Sequence, residues 1–270
     1  MADIVITAHS EGRAIGQALT RLAPLAVAGD VRLIVVADGG TNDAAEVASS
    51  IGPGVRVLSI SAPSKQEALR VGDEAASGFP RVYLDASVYL AAKDLLALIA
   101  EVAKPGVLAA APRLVMDTDG CPWPVRWYYE VYLRLPEVRR GLVGRGVIAV
   151  SEAGHERLAG YSSSLDFDLA AYRAFAPAER RVVEAATVHR RPPRTVVALL
   201  AGPISAAVTL ARFESERHLW RSRVWTRPAD LAGIVVADPA LAPKVAWFVV
   251  TVIIVKLSAR GAVARDRWRR

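Results

Sequence analysis

The stretch from residue 32 to residue 48, RLIVVADGGTNDAAEVA, constrains the fold more than any other part of the chain. It begins with an apolar, β-branched run that ends on the carboxylate of Asp38, and a Gly-Gly-Thr-Asn turn leads from there into a helix start. In an open α/β sheet, ligands bind where strands end and helices begin. Two interpretations follow from these residues: Asp38 contacts a ligand, or it is an exposed acid in an ordinary strand-to-helix turn.

Three further segments repeat this order of strand and helix. The apolar runs are DIVIT (3–7), VRVLSI (55–60) and RVYLDASVYL (81–90), and each precedes a stretch with helical spacing. The third run ends its apolar part on another carboxylate, Asp85. Four such units with short connections predict an α/β fold, with a mostly parallel sheet that has helices on both faces.

Four short motifs follow these strands in order: AHSE (8–11), DGGTND (38–43), SKQEALRVG (64–72) and DAS (85–87). They resemble the motifs of the GT-A nucleotide-sugar glycosyltransferases of family 2. In that family the second motif reads D-G-S-T-D-D, the third G-K-G-x-A-L-N-x-G and the fourth D-x-D. The order and spacing extend over about the first 190 residues, which a single short motif does not achieve by chance.

The resemblance implies a GT-A, Rossmann-like fold and a site for a nucleotide-activated sugar. Asp38 would hold the nucleobase, Asp85 the ribose and metal region, and Lys65 the diphosphate, with His189 beside it. The donor-binding residues implied in this way are Ala8, Glu11, Asp38, Lys65, Asp85, Ser87 and His189. For His189, the residues alone leave the ordinary interpretation of a surface histidine open.

The resemblance also implies a divalent metal, Mg²⁺ or Mn²⁺, near Asp85 and His189. The chain departs from the family here, because Ser87 stands where the D-x-D motif has its second carboxylate. These hard cations prefer carboxylate oxygens to a serine hydroxyl. We therefore expect weak metal binding, or a chain that has kept the fold and lost catalysis.

The segment SSSLDFDLAAYRAF (162–175) resembles the family's E-D-x-D-L-x-x-R motif, with Leu165 in the place of the glutamate. In inverting members the following aspartate deprotonates the acceptor hydroxyl, which makes Asp166 the predicted base and Asp168 the second choice. Without the resemblance, these acids after several serines would be interpreted as the first turn of a capped helix.

Glycine and arginine residues flank this region. Gly144 and Gly146 permit close approach of the backbone to a sugar, and Arg145 between them faces either a phosphate or solvent. Arg190, Arg191 and Arg194 form a cluster that suits either phosphate or anionic lipid.

Composition limits the remaining choices. The 270 residues are 53% hydrophobic, enough to bury the core of one large domain with an appendage. A single cysteine, Cys121, excludes a disulfide framework and fits a reducing compartment. The net charge of +7 favours an anionic partner, but no zinc spacing or RNA-binding motif supports nucleic acid. No charged and apolar leader precedes the first strand, which predicts the absence of a signal peptide.

Two apolar runs lie near the C-terminus, at 195–211 and 245–255. Glycine and proline interrupt the first, and the second is shorter than the ~20 apolar residues that a spanning helix needs. Arginines follow the second run and suit an anionic bilayer surface. We expect interfacial or re-entrant attachment, with a buried core helix or a dimer interface as the alternative.

Together these observations predict a GT-A domain over 1–194, with a nucleotide-binding half at 1–115 and an acceptor half at 116–194. A helical, membrane-associated region follows at 195–270. The predicted function is inverting transfer of a sugar from a nucleotide-activated donor to a lipid-linked or glycan acceptor, at the cytoplasmic face of the plasma membrane. A homo-oligomer or a membrane-protein partner is compatible with the sequence. The alternative is a catalytically silent GT-A-like binding or scaffold protein.

Overall fold

The computed structural model describes residues 1–9, 12–38, 55–61, 64–142, 144–162, 167–217 and 226–268. The chain packs into two compact units. The sheet unit comprises residues 1–115 and 140–190, and the helical unit comprises residues 116–139 and 191–270. The division predicted at residue 194 stays a prediction, since the packing groups residues 116–139 with the C-terminal region.

The sheet has eight strands among the described residues, in the order β3-β2-β1-β4-β7-β6-β8-β5. The strands are β1 (Ala2–His9), β2 (Val31–Asp38), β3 (Val55–Ile60), β4 (Arg81–Asp85), β5 (Tyr89–Leu90), β6 (Ala109–Met116), β7 (Val147–Val150) and β8 (Arg180–Arg190). The helices are α1 (Gly12–Val27), α2 (Lys65–Ala75), α3 (Ala92–Val102), α4 (Trp123–Tyr132), α5 (Pro136–Arg140), α6 (Glu152–Ser162), α7 (Phe167–Ala174), α8 (Val196–Arg217), α9 (Pro228–Ala237) and α10 (Ala242–Trp268).

The four strands predicted from the sequence form the parallel part of the sheet. β1 lies between β2 and β4 and pairs with both in parallel, and β3 pairs in parallel with β2. Beyond β4 the sheet is mixed, because β7 runs antiparallel to β4 and to β6, and β5 runs antiparallel to β8. The predicted α/β sheet is confirmed, and its parallel character belongs to the first half of the chain.

Burial explains the apolar runs of the central strands. Ile4 and Ile6 of β1 and Leu33 and Val35 of β2 are fully buried, as expected for parallel strands that are covered on both faces. In α1, the apolar residues that recur at helical spacing are also buried, namely Ile15, Leu19 and Leu22. The strand-then-helix interpretation of this region is therefore confirmed.

The parallel register brings the carboxyl ends of three strands to one edge. His9 of β1 lies opposite Asp38 of β2, and Asp38 lies opposite Ile60 of β3. On the other side of β1, Thr7 lies opposite Asp85 of β4. The two acids that end strands in the sequence thus flank β1 at the edge where α/β sheets bind ligands.

The C-terminal region is helical, and its last helix is longer than the apolar run of the sequence. The run at 245–255 lies inside α10, whose 27 residues extend well beyond it. The segment Pro239–Ala262 has a mean hydropathy of 1.9 and is long and apolar enough to cross a membrane by length and composition. The expectation of a run too short to span is corrected accordingly, since small and apolar residues on both sides continue the helix.

Two glycines of the sheet unit allow a matched test of the backbone that shapes the site described below. Gly146 has φ +71°, and a Cβ atom there would lie 2.6 Å from Cγ1 of Val88. Gly106 has φ +78°, and a Cβ atom there would have no atom within 4 Å. We expect Gly106→Ala to lower the free energy of unfolding by about 1–2 kcal/mol through the backbone alone, and Gly146→Ala to cost about 1–3 kcal/mol more through overpacking.

Urea denaturation of the two variants measures this difference. Equal losses in both would show that Val88 moves aside and that the close approach at Gly146 has no energetic weight.

Candidate functional site

A small, solvent-open cleft lies at the carboxyl end of β4 in the sheet unit. It is lined by residues of β1, α2, β4, β7 and α7, together with the loop before β7. Both polar and apolar residues line it; they include Thr7, Lys65, Tyr83, Asp85, Gly146 and Phe167. The cleft therefore has the mixed lining of a small-molecule site.

Among the described residues that line this cleft, Asp85 is the one that carries a carboxylate. Its Oδ1 accepts hydrogen bonds from the backbone N–H of Ser87 at 3.1 Å and from the Ser87 hydroxyl at 2.8 Å. Its Oδ2 forms an ion pair with Nζ of Lys65 at 3.3 Å. Both carboxylate oxygens of Asp85 thus already have partners within the chain.

The surroundings of Asp85 favour its ionised form. Burial alone would raise the pKa of this carboxyl, but the ammonium of Lys65, the hydrogen bonds from Ser87 and the guanidinium of Arg190 together lower it. Asp85 is therefore a carboxylate throughout the physiological pH range.

The start of α2 positions Lys65. Ser64 precedes the helix, and its side chain accepts a hydrogen bond from the N–H of Glu67 at 3.2 Å, which is the standard N-terminal cap. Lys65 is the first helical residue, and its side chain is 54% exposed. The cap fixes the backbone of Lys65, while the ammonium stays accessible from the cleft.

The loop before β7 forms another part of the cleft. Gly144 and Gly146 both have positive φ, and the carbonyl of Gly146 accepts a hydrogen bond from the N–H of Asp85 at 2.8 Å. Arg190 donates to the carbonyl of Gly144 at 2.8 Å. Arg145, between the two glycines, is 1% exposed. The side chain of Arg145 is thus buried and does not have the solvent-facing position that was one of its two interpretations.

Asp73, Arg81, Tyr83 and His155 form a polar network that was not predicted from the sequence. The hydroxyl of Tyr83 donates to Oδ1 of Asp73 at 2.7 Å and lies 3.0 Å from Nδ1 of His155. Arg81 forms an ion pair with the same oxygen of Asp73 at 2.5 Å. Burial raises the pKa of Tyr83 and lowers the pKa of His155, so the phenol and the imidazole are both neutral at pH 7.

A signal for this network was present in the sequence. Arg81, Tyr83 and Asp85 alternate along β4 and so share one face of the strand. As an apolar strand with a terminal acid, the run RVYLD does not reveal this period of two.

The remaining predicted donor residues have different positions. Ala8 is buried in β1 beside Ala37. Asp38 ends β2 as predicted, but its side chain is outside the described part of the chain, and Glu11 lies outside the described residues altogether. His189 pairs with Tyr89 across β8 and β5, with ring centroids 5.9 Å apart. The donor-binding roles of all four residues stay predictions.

Of the two candidate bases, Asp166 falls outside the described residues. Asp168 lies in the first turn of α7, with its side chain not described. Phe167 and Ala171 of the same helix line the cleft, which places this turn next to it. The assignment of either aspartate as the base stays a prediction.

The arginine cluster predicted around residue 190 is divided in the structure. Arg190 is the last residue of β8 and bonds to Gly144 within the sheet unit. Arg194 belongs to the helical unit and donates to the carbonyl of Asp119 at 3.0 Å. Of these two arginines, Arg190 is the one with an electrostatic effect on Asp85.

The described residues do not fit a divalent-cation site. Asp85 supplies one carboxylate whose oxygens are bonded to Lys65 and Ser87, and the Ser87 hydroxyl is turned toward that carboxylate. Over the described part of the chain, no three histidine, cysteine or acidic side chains group together as metal ligands. A cation would have to displace the Lys65 ammonium, so we assign no chemical step to a metal.

Comparisons with known proteins place this architecture. No protein-family model matches the chain, and no curated protein matches it. Among solved structures, glucosyl-3-phosphoglycerate synthase from Mycobacterium tuberculosis, in complex with Mn²⁺, UDP-glucose and phosphoglyceric acid, is 19% identical, covers 79% of each chain and has a TM-score of 0.57. The mannosyltransferase PcManGT from Pyrobaculum calidifontis, in complex with GDP-mannose and Mn²⁺, is 17% identical over 97% of this chain and 75% of its own, with a TM-score of 0.58.

The chain has the GT-A fold of glycosyltransferases. The fold predicted from the four motifs is thereby confirmed, and the assignment to family 2 stays a prediction. At this level of identity, the likeness concerns the backbone architecture and does not extend to individual site residues.

The ion pair between Lys65 and Asp85 predicts a measurable titration. Lys65→Ala removes the ammonium that lowers the pKa of Asp85, so we expect this pKa to rise toward or above its ordinary value of 3.8. A lowered carboxyl pKa stabilises the fold at pH values above the unfolded-state pKa, and this gain is lost as the pH falls through the folded-state pKa. The variant should therefore be less stable than the wild type at pH 7, and the difference should disappear in acid once Asp85 is protonated in both. Carboxyl-carbon NMR titration of Asp85 checks the shift; an unchanged pKa would show that the pair does not form in solution.

Proposed function

We propose that the chain is a glycosyltransferase that uses a nucleotide-activated sugar donor. The observation that carries this proposal is the pairing of Asp85 with Lys65 in a cleft at the carboxyl end of β4, in a sheet with the GT-A fold. Solved proteins of this fold are described with UDP-glucose or GDP-mannose, which supports donors of the same chemical class.

Each part of the cleft would meet one part of the donor. Asp38, at the end of β2, would contact the nucleobase, and Asp85 would contact the ribose. Lys65 and Arg190 would stabilise the negative charge that grows on the diphosphate as the sugar leaves. Such preorganised charge is among the largest contributions to catalysis in transfer reactions.

The acceptor would enter from the side of α7. Inverting transfer needs one base that accepts the proton of the acceptor hydroxyl while the hydroxyl oxygen attacks the sugar. We assign this role to Asp166, with Asp168 as the second candidate, because Phe167 between them lines the cleft.

The helical unit supports work at a membrane. The outward face of α10 exposes Val249, Val250, Ile253, Ile254 and Leu257, and only 22% of its most apolar window is buried. An apolar helical segment that the rest of the protein leaves mostly uncovered is suited to a nonpolar environment. We propose attachment to the cytoplasmic face of the plasma membrane and a lipid-linked or glycan acceptor there.

Aromatic residues on the same unit favour the bilayer over a second copy of the chain. Trp123 and Trp247 have ring centroids 5.7 Å apart, and Trp123 is 51% exposed. Lys244 of α10 forms an ion pair with Glu130 of α4 at 2.8 Å. Tryptophan and lysine at one end of an apolar helix are typical of a membrane interface.

A catalytically silent protein that binds a nucleotide is the second candidate. It is favoured by one observation: Ser87 and Lys65 satisfy both oxygens of Asp85, as a purely structural carboxylate would be satisfied. This candidate predicts nucleotide binding without consumption of any donor.

Transfer and donor breakdown distinguish the two candidates. With UDP-glucose and GDP-mannose as probes, we expect the wild type to release the nucleoside diphosphate in the presence of total membrane lipid extract. Asp166→Asn should reduce this release by about 100-fold or more, the usual contribution of a general base, with donor affinity nearly unchanged. If release survives in Asp166→Asn and is lost in Asp168→Asn, the base is Asp168.

Nucleotide binding by the wild type without release from either donor, over a panel of other nucleotide sugars as well, would favour the silent protein. The absence of any nucleotide binding would contradict both candidates.

Membrane attachment is tested on the exposed face of α10. We expect the full chain to co-sediment with liposomes that contain anionic lipid, and the double variant Ile253→Asp/Leu257→Asp to bind them at least about tenfold more weakly, because both side chains are exposed and carboxylates resist transfer into an apolar phase. High salt should release only part of the wild type, since salt screens charges and leaves apolar contacts intact.

Leu96→Asp is the matched control, because Leu96 is an exposed apolar residue of the sheet unit, at 39% exposure. This variant should bind liposomes as the wild type does. If the wild type ignores liposomes and sediments as a dimer without detergent, the outward face of α10 is an interface between copies.

A further inference from the structure

The contact between Lys65 and Asp85 occupies the place where a cation would bind the carboxylate. Nζ of Lys65 lies 3.3 Å from Oδ2 of Asp85, and Ser87 holds Oδ1 through its N–H and its hydroxyl. The positive charge at this position therefore comes from a side chain of the protein. A solved mannosyltransferase of the same fold is described with Mn²⁺.

The charges around the carboxylate agree with this. Lys65 and Arg190 are the two cations that act on Asp85, so these three groups carry one net positive charge. A nucleoside diphosphate brings negative charge to the cleft, and ammonium and guanidinium groups are good donors to phosphate oxygens. A divalent cation in addition would repel Lys65 at the only described carboxylate of the cleft lining.

We propose that Lys65 is the built-in cation of the donor site, so that the chain binds a nucleoside diphosphate without a divalent metal. This inference rests on the proposed function and concerns how its donor is bound. Lys65 is suited to the role because the capped start of α2 fixes its backbone, while its side chain is 54% exposed and free to turn toward an incoming phosphate.

The role of Ser87 follows from the same geometry. A second carboxylate at this position would add one negative charge beside Asp85, and the net charge of the group formed with Lys65 and Arg190 would fall from plus one to zero. With a serine, the hydroxyl neutralises nothing and instead orients Oδ1 of Asp85, which leaves Oδ2 for Lys65. Ser87 and Lys65 therefore act on the same carboxylate, each on one of its oxygens.

Calorimetric titration with UDP and GDP tests the proposal, on the full chain in detergent, with EDTA or with Mn²⁺. We expect the wild type to bind one of the two nucleotides with the same affinity in both buffers, within about twofold. Lys65→Ala should lose about tenfold or more in EDTA. Lys65→Ala/Ser87→Asp, which exchanges the ammonium for a second hard ligand, should regain the affinity in Mn²⁺ and not in EDTA.

Two further measurements separate a charge effect from a loss of structure. Electron paramagnetic resonance of free Mn²⁺ should show binding by the double variant and little binding by the wild type. Lys104→Ala is the matched control, because Lys104 also forms an ion pair in the sheet unit, with Glu101 at 2.6 Å. This control should bind the nucleotide as the wild type does in both buffers.

The outcomes that contradict the proposal are distinct from those that contradict the function. A wild type whose nucleotide affinity falls about tenfold or more in EDTA, or a Lys65→Ala variant with unchanged affinity, overturns the built-in cation and leaves the glycosyltransferase proposal standing. Failure of the wild type to bind UDP or GDP in either buffer overturns the built-in cation together with the nucleotide-sugar site.

Discussion

The buried carboxylate of Asp3 fixes the arrangement of strands on which the cleft depends. It is fully buried and accepts hydrogen bonds from Nε of Arg32 at 2.9 Å and from the backbone N–H groups of Ser77 and Gly78 at 2.7 Å each. One side chain thereby connects β1 to β2 and to the turn that leads into β4. These three hydrogen bonds fix the positions of the groups that donate them, since a buried polar group left without its hydrogen bond would cost ~1–3 kcal/mol. Asp38 and Asp85 reach the same edge because their strands are held at this opposite end.

A second polar cluster, formed by Asp73, Arg81 and Tyr83, connects β4 to the helices that line the cleft. Asp73 of α2 accepts from Arg81 and Tyr83, and Tyr83 also contacts Phe167 of α7 edge-on, with centroids 4.9 Å apart. The helix that starts with Lys65 and the helix that carries Asp168 are therefore both attached to one strand. Lys65 of the first helix and Phe167 of the second line the cleft together with Tyr83 and Asp85 of that strand.

The sequence was most informative where one physical effect dominates. Burial on both faces makes β1 and β2 continuous apolar runs, so their positions and the amphipathic α1 were predictable, and the GT-A fold followed from the order of the motifs. The antiparallel pairings of β7 with β4 and β6, and of β8 with β5, were harder to predict, because these strands pair with partners distant in sequence. The ion pair of Asp85 with Lys65 depends on three-dimensional placement across 20 residues. The length of α10 was underestimated because alanine, serine and glycine continue a helix without adding a clear apolar signal.

The serine at residue 87, where the D-x-D motif has an aspartate, is best interpreted together with Lys65. Judged by itself, the loss of a carboxylate from a metal-binding motif indicates a site that has decayed. In the structure, the remaining carboxylate accepts two hydrogen bonds from Ser87 and pairs with Lys65, so both of its oxygens have partners within the protein. Asp85, Lys65 and Arg190 together carry one net positive charge, which a second carboxylate at residue 87 would cancel. The charge of the cleft beside Asp85 thus depends on residues 65 and 87 together.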